Sequence, residues 1–434
     1  MTLQSFARSL AHRNYRLFFA GQGISLIGTW MQQVALGWLV YDLTHSPFWL
    51  GVVGFCGQIP GFFIAPVAGV MSDRWNLRKT LLVTQSAALL QAAMLAILDA
   101  TGTIAIWQIV PLSLFSGIIN AFDMPARQAF LVHMVDRKED LPNAIALNSS
   151  IVNGTRLIGP SAAGMLIKLT GEATCFLLNA LSYLAVIWAL WAMRVAPRQT
   201  QMRHEHVWQG LRSGLGYAFG FAPIREILLL LALISLAGMP LSVLMPVFAH
   251  EILHGGADTF GYLTGASGVG ALAAALYLAS RSTVLGLGRH LGLAATGLGL
   301  AMIGFSLSRE LGFSLGLLLL TGYCMMLGMA ASNTLLQTIV DEDKRGRVMG
   351  LYSTAFMGVA PVGSLLAGLL ADALGAPAAV RVCGLLCCAG GIAFALRLPA
   401  LRDQVRPIYA RMGIIPEIAA GIQVSTQLRV PPEQ

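Results

Sequence analysis

Charge is what this chain has least of. Asp, Glu, Lys and Arg together make up 11% of its 434 residues, against about 25% in a soluble domain. With 56% hydrophobic residues and a mean hydropathy of +0.70, that shortage excludes a water-soluble globular protein. What remains is a polytopic membrane protein. Cysteine is scarce too. The six (Cys56, Cys175, Cys324, Cys383, Cys387, Cys388) sit almost entirely in apolar runs, none with C-x-x-C spacing beside His partners. A zinc site is excluded on that ground, and the thiols read as small buried hydrophobes. No G-x-x-x-x-G-K-[ST] loop occurs, which excludes a self-contained ATP-driven pump, though not a partner ATPase. A membrane-embedded enzyme would want a His/Asp or metal constellation near one interface. Only His250, Glu251, His254 and Asp258 come close, and they read as solvated residues of an outer loop, with His250 and His254 open to incidental metal at most. No catalytic residue, cofactor or resident metal is expected. The net charge of +8 could suggest nucleic acid, but in a membrane protein it reports basic cytoplasmic loops.

What is abundant is apolar length. A span needs about 20 mostly apolar residues. Twelve runs qualify, near 16–40, 49–71, 80–99, 104–133, 143–168, 174–194, 225–249, 259–280, 288–308, 312–337, 347–371 and 377–397. The first, Leu17–Val40, is too long for the apolar core of a secretory signal and is expected to be an uncleaved span. Residues 195–224 form a basic polar link that divides the spans six and six. This predicts a first six-helix bundle over 1–194, a cytoplasmic linker over 195–224 and a second bundle over 225–397. A polar, proline-bearing cytoplasmic tail over 398–434 is expected to be partly disordered. With both termini inside, 24 of the 28 Lys and Arg residues fall on the inner side and three on the outer, with Arg156 within a span. That asymmetry fits an even number of spans in a bacterial-type inner membrane.

The halves echo each other. Asn14-Tyr15-Arg16 has a counterpart in Pro223-Ile224-Arg225, Ser25–Gly28 in Ser235–Gly238, and Phe130–Asp136 in Leu335–Asp341. A parallel repeat of two six-span halves around a midplane site is one plan of secondary transporters.

Between spans two and three stands Gly69-Val-Met-Ser-Asp73-Arg74-Trp-Asn-Leu-Arg78-Lys79. It resembles the loop signature G-x-L-x-D-R-x-G-R-[KR] of the major facilitator superfamily, with Asn76 where glycine is usual. Asn reaches left-handed backbone angles more readily than other non-Gly residues, which would make the exchange tolerable. Asp73 could pair with Arg or cap a helix, so that Asp73, Arg74, Arg78 and Lys79 latch the two halves. An ordinary positive-inside loop would carry the same charges. Span five holds Gly154-Thr-Arg156-Leu-Ile-Gly159-Pro160-Ser-Ala-Ala-Gly164. This is similar to the family's antiporter motif, which implies a helix bend at Gly154, Gly159, Pro160 and Gly164; a plain small-residue packing face is the alternative. Residues 122–130, 143–150 and 345–351 narrow the resemblance to the transmembrane secretion effector branch, which includes the enterobactin exporter.

The costly charges lie in spans four and five. Asp123 and Arg156 stand at similar distances on either side of Glu139 in the connecting link. An antiparallel helix pair would bring them to one depth. Asp123 is therefore expected to face Arg156, with Arg127 as its i,i+4 partner. The surplus positive charge could draw an anionic substrate or hold Asp123 ionised; a structural ion cluster is the other reading. Gln22, Gln33, Gln58, Asn120, Asn153 and Asn333 are candidate cavity-lining groups or interhelical hydrogen-bonding groups.

Taken together, the fold expected is an all-α polytopic membrane protein with twelve transmembrane helices in two six-helix pseudo-repeats. The resemblance implies a secondary transporter working by alternating access. Proton-coupled efflux of a small amphiphilic molecule (drug, siderophore or metabolite) is favoured, with protons and the lipid bilayer as partners and a monomeric state. An uptake symporter of the same fold is the alternative, and a non-transporting membrane protein a more distant one.

Overall fold

A computed structural model describes residues 8–72, 75–135, 137–194, 215–281 and 283–414. Among them there is no strand. Twelve long helices follow in chain order: α1 (Arg13–Thr44), α2 (Pro47–Ser72), α3 (Leu77–Ala100), α4 (Ile106–Leu131), α5 (Leu141–Thr170) and α6 (Glu172–Ala192), then α7 (Ala222–Ile252), α8 (Ala257–Ala279), α9 (Leu287–Leu307), α10 (Leu311–Ile339), α11 (Arg345–Leu374) and α12 (Ala376–Arg411). Ten of them are long and apolar enough by themselves to cross a membrane. The two that fall short are α1 and α5, whose Gln, Asn, Ser and Arg residues dilute their hydropathy. A helix too polar for lipid must be screened from it by other helices, and α1 and α5 pack on each other as well as on their neighbours.

The packing repeats with a period of six helices. In the first half α1 packs on α5 and α6, α3 on α4 and α6, and α2 on α4. In the second half α7 packs on α11 and α12, α9 on α10 and α12, and α8 on α10. The halves meet chiefly through two further pairs, α2 with α11 and α5 with α8, which the same shift of six interchanges.

Local departures from ideal helix cluster in the second half. Pro240 follows a turn at Met239 inside α7, and π-helical turns occupy Phe248–Ile252 in α7 and Thr354–Gly358 in α11. Such turns are frequent at functional sites. The expected polar tail is corrected in part. Helix α12 runs on to Arg411, with Pro399 and Pro407 inside it. Its buried Leu401 and Val405 continue a four-residue apolar stripe, which supplies a packing face where composition alone suggests a loose tail. Residues 195–214 of the expected linker and 415–434 of the tail lie outside the described residues.

Candidate functional site

The interface between the halves decides where a pathway can lie. At the end where α5 finishes and α8 begins, the two backbones almost touch. A Cβ on Gly164 would stand 2.6 Å from the Ala257 carbonyl oxygen, and one on Gly261 2.8 Å from that of Pro160. The symmetry-related crossing repeats this, with a Cβ on Gly51 falling 2.8 Å from the Ser364 carbonyl oxygen. Small residues permit this approach, as they do where membrane helices pack tightly. Polar links reinforce the same end. Lys168 Nζ meets Asp258 Oδ2 at 2.7 Å, Ser46 Oγ donates to Asp372 Oδ1 at 3.1 Å, and Tyr41 donates to Glu251. His250 packs against Trp38, Tyr41 and His45 in the same place. The close approaches run to mid-depth, at Arg156 against Gly268 and Phe62 against Gly358, and none is found at the described glycines beyond them toward the end that carries the chain termini. A Cβ on Gly61 of α2, Gly154 of α5, or Gly346 or Gly350 of α11 would meet nothing within 4 Å. The halves thus close at one end and part toward the other.

Asp123 and Arg156 are not brought together. Asp123 is 4% exposed and turned toward α3, where its Oδ1 accepts from Thr84 Oγ1 and Gln85 Nε2, both at 2.8 Å. Its Oδ2 lies 3.7 Å from Arg127 Nε, the expected i,i+4 partner. The link is not centred on Glu139: α4 ends at Leu131 and α5 starts at Leu141, which leaves Asp123 about two turns from its helix end and Arg156 about four turns into α5. Helix α4 packs on α2 and α3 while α5 packs on α1, α6 and α8, and the hydroxyl and amide of α3 satisfy the carboxylate inside the first half. Arg156 instead lies over the Trp30 ring of α1, with its guanidinium carbon 5.6 Å from the ring centroid. It has no acidic partner among the described residues, and it is half-buried. Gly159 sets this crossing, since a Cβ there would fall 2.5 Å from Trp30 Cβ. An arginine at the bilayer centre costs at least ~2.5–3.5 kcal/mol. A desolvated cation–π contact returns about 2 kcal/mol or somewhat more, so the ring offsets only part of that cost.

The loop between α2 and α3 acts more locally than expected. Asn76 is the N-cap of α3, accepting from Lys79 N at 3.1 Å through Oδ1, with φ −71° and ψ 102°. It occupies extended backbone, not the left-handed region, so its side chain explains its presence better than its backbone freedom. Arg78 donates to the Trp191 carbonyl oxygen at 2.9 Å, capping the end of α6 within the same half, and Lys79 is exposed. Asp73 and Arg74 lie outside the described residues.

Of the polar candidates, Gln22 is corrected: it is 3% exposed inside the first half, with Oε1 unpartnered. Gln33, Gln58 and Asn120 are exposed, while Asn153 and Asn333 are half-buried. Gln33 is one turn from Trp30 and from Gly37, which approaches Phe260 of the other half. Gln58 donates back to the Gly54 carbonyl oxygen at 3.2 Å, Asn153 to that of Ser149 at 2.8 Å, and Asn333 accepts from Gln337 at 2.6 Å. Sequence reading missed Thr84, Gln85, Tyr41 and Ser46 as partners. Isolated Thr and Gln residues in the apolar run of α3 are the signal that could have found the first two. The buried chain Gln91–Gln32–Asn179, at 3.0 and 2.7 Å, ties α3, α1 and α6 as internal glue. A separate cavity of about 270 Å³ lies in the second half among Ile227, Leu335, Phe394, Leu398 and Arg402.

The transmembrane secretion effector family matches residues 4–414. The staphyloferrin A transporter of Staphylococcus aureus is 26% identical over 83% of this chain and 90% of its own length. The multidrug efflux pump Tap of Mycolicibacterium fortuitum is 25% identical, over 88% and 93%. The enterobactin exporter EntS of Citrobacter koseri is 25% identical, over 94% and 98%. The crystal structure of the nucleoside transporter NupG superposes with a TM-score of 0.68 at 10% identity, covering 89% of this chain and 99% of that one, a likeness of fold alone. The family and these relatives are membrane transporters of small molecules, not enzymes. With twelve helices in two interchangeable sets of six and a family match over nearly its whole length, the chain belongs to the transmembrane secretion effector family of the major facilitator superfamily.

Proposed function

We propose that this transporter exports a small amphiphilic molecule in exchange for protons, by alternating access in a bacterial-type inner membrane with both termini cytoplasmic. The observation that carries this reading is the asymmetry of the interface: tight crossings of α5 on α8 and α2 on α11 at one end, separated helices at the other. Placing the basic, terminus-bearing side in the cytoplasm makes the present conformation inward-open. The other state then requires the far-end crossings to part while the near-end helices close, which is rocking of one half on the other. Export is supported by the names of two relatives, an efflux pump and an exporter. Among known relatives of similar identity, one handles a siderophore by name and another exports one, which keeps siderophores among the candidate cargoes.

Direction and coupling are tested in everted membrane vesicles carrying an imposed acid-inside gradient. A proton-coupled exporter accumulates cargo in the lumen, and an uncoupler abolishes the accumulation. The assay would scan a panel of siderophores and fluorescent dyes. Accumulation only in right-side-out vesicles with an inward proton gradient would replace export by uptake symport. Accumulation indifferent to the gradient would remove protons from the mechanism.

A further inference from the structure

We infer that Arg156, lying over Trp30, is an anion-binding subsite of the translocation path, and that the cargo is a small amphiphilic anion: an acidic group joined to an apolar body. This rests on the reading that the cleft between the halves is the path. Four observations lead to it. Arg156 stands near the middle of the 30-residue α5, and Trp30 near the middle of the 32-residue α1, so both lie deep in the membrane. The carboxylate within span four, Asp123, is committed to Thr84, Gln85 and Arg127. The opposing half offers no countercharge there: its charged residues fall at the ends of α7 to α11, and α10 has none between Leu311 and Ile339. Finally, the backbone at Arg156 borders the other half, its carbonyl oxygen 3.2 Å from where a Cβ on Gly268 would stand. A fixed cation at mid-depth, half-stacked on an indole and facing an uncharged wall, is complementary to an anion that brings its own apolar surface. A hydrophobic cation, by contrast, would meet like charge with no compensating acid.

The test uses two dyes that share one ring system and differ only in charge. The probes are 1-anilinonaphthalene-8-sulfonate, an amphiphilic anion, and N-phenyl-1-naphthylamine, its neutral parent. Each is titrated into the full-length protein in phosphatidylcholine nanodiscs. Binding is read as energy transfer from tryptophan, with empty discs as blank. Losing a charge-assisted hydrogen bond should weaken sulfonate binding about tenfold or more in Arg156→Gln, with the neutral dye changed less than about twofold. Arg156→Lys, which keeps the charge and guards against a folding artefact, should retain most sulfonate affinity. Trp30→Phe should weaken both dyes, because the ring serves the body as well as the cation. Equal sulfonate binding by wild type and Arg156→Gln overturns the proposal, as does a wild type that does not bind the sulfonate. Displacement of the dye by millimolar sulfate would reduce the site to a general anion site and overturn the amphiphile. The readout is independent of direction. If vesicles show uptake while charge discrimination persists, only the export reading falls. If discrimination fails while export persists, only this subsite falls.

Discussion

At the scale of single residues, two intramembrane charges have opposite environments. Asp123 is saturated: a hydroxyl, an amide and an arginine all point at it. Asp123→Asn would leave Arg127 without its countercharge, and one donor at Oδ1 would be in competition with the new amide. The expected outcome is a protein still inserted in the membrane, destabilised by roughly 1–3 kcal/mol in thermal unfolding, with transport lost. An unchanged melting curve would show that the Arg127 contact at 3.7 Å contributes nothing. Arg156 is unsaturated, and Arg156→Ala should leave the melting curve near wild type or raise it, since a costly half-buried intramembrane cation is removed. Transport should still fall, so the two variants separate a structural charge from a functional one. Spacing placed both charges in the membrane and matched Arg127 to Asp123. It could not say which helices pack on each other: α4 and α5 are consecutive in the chain, yet α4 packs on α2 and α3 and α5 on α1, α6 and α8.

At the scale of elements, the α5–α8 crossing is a place where one atom matters. Gly164 and Gly261 leave no room for side chains, so Gly164→Leu must push the far ends of the halves apart or fail to close them. Overpacking of this kind costs about 1–3 kcal/mol, and here it falls on one conformation only. Spin labels at Leu43 and Leu374, both exposed at the closed end, should report a longer distance in that variant. An unchanged distance would mean that α8 adapts locally. Helix α12 makes a second case. Leu401→Ala removes a side chain that is 7% exposed on the extension beyond the expected span. A cost of about 2–5 kcal/mol is expected if the extension is part of the core, and under 0.5 kcal/mol if it behaves as a surface tail. The motif in span five revealed one partner of this crossing. Gly261 and Gly265 of α8 went unremarked because single glycines in an apolar run do not announce what they face.

At the scale of the whole molecule, the far-end links hold that end of the bundle closed. Tyr41–Glu251, Ser46–Asp372 and Lys168–Asp258 all join one half to the other. Removing the first by Tyr41→Phe deletes a hydrogen bond to a charged group, about 1.5–3 kcal/mol, and only the closed-end state loses it. On the proposed alternating-access reading, the equilibrium should shift toward the state open at that end by a factor of about ten or more. The same label pair would show this as growth of a long-distance population. A distribution identical to wild type would make the link incidental to the closed state. The outer cluster around His250 read as solvated in the sequence. His250 is indeed exposed, but its neighbours Trp38, Tyr41 and His45 come from the other half.

The sequence by itself determined the class of molecule: too little charge for water, twelve apolar runs, a basic bias toward one side, and a repeat with its loop and span-five motifs. These are additive properties of composition and period, and each can be summed without knowing where the chain goes. Only the tertiary structure decided which groups meet. It sent Asp123 to α3 and Arg156 to Trp30, buried Gln22, extended α12 to Arg411, and closed one end of the bundle while parting the other. Each of those depends on the rotation and tilt of one helix against another. Those angles are set by many small packing contacts at once, and no local stretch of sequence contains them.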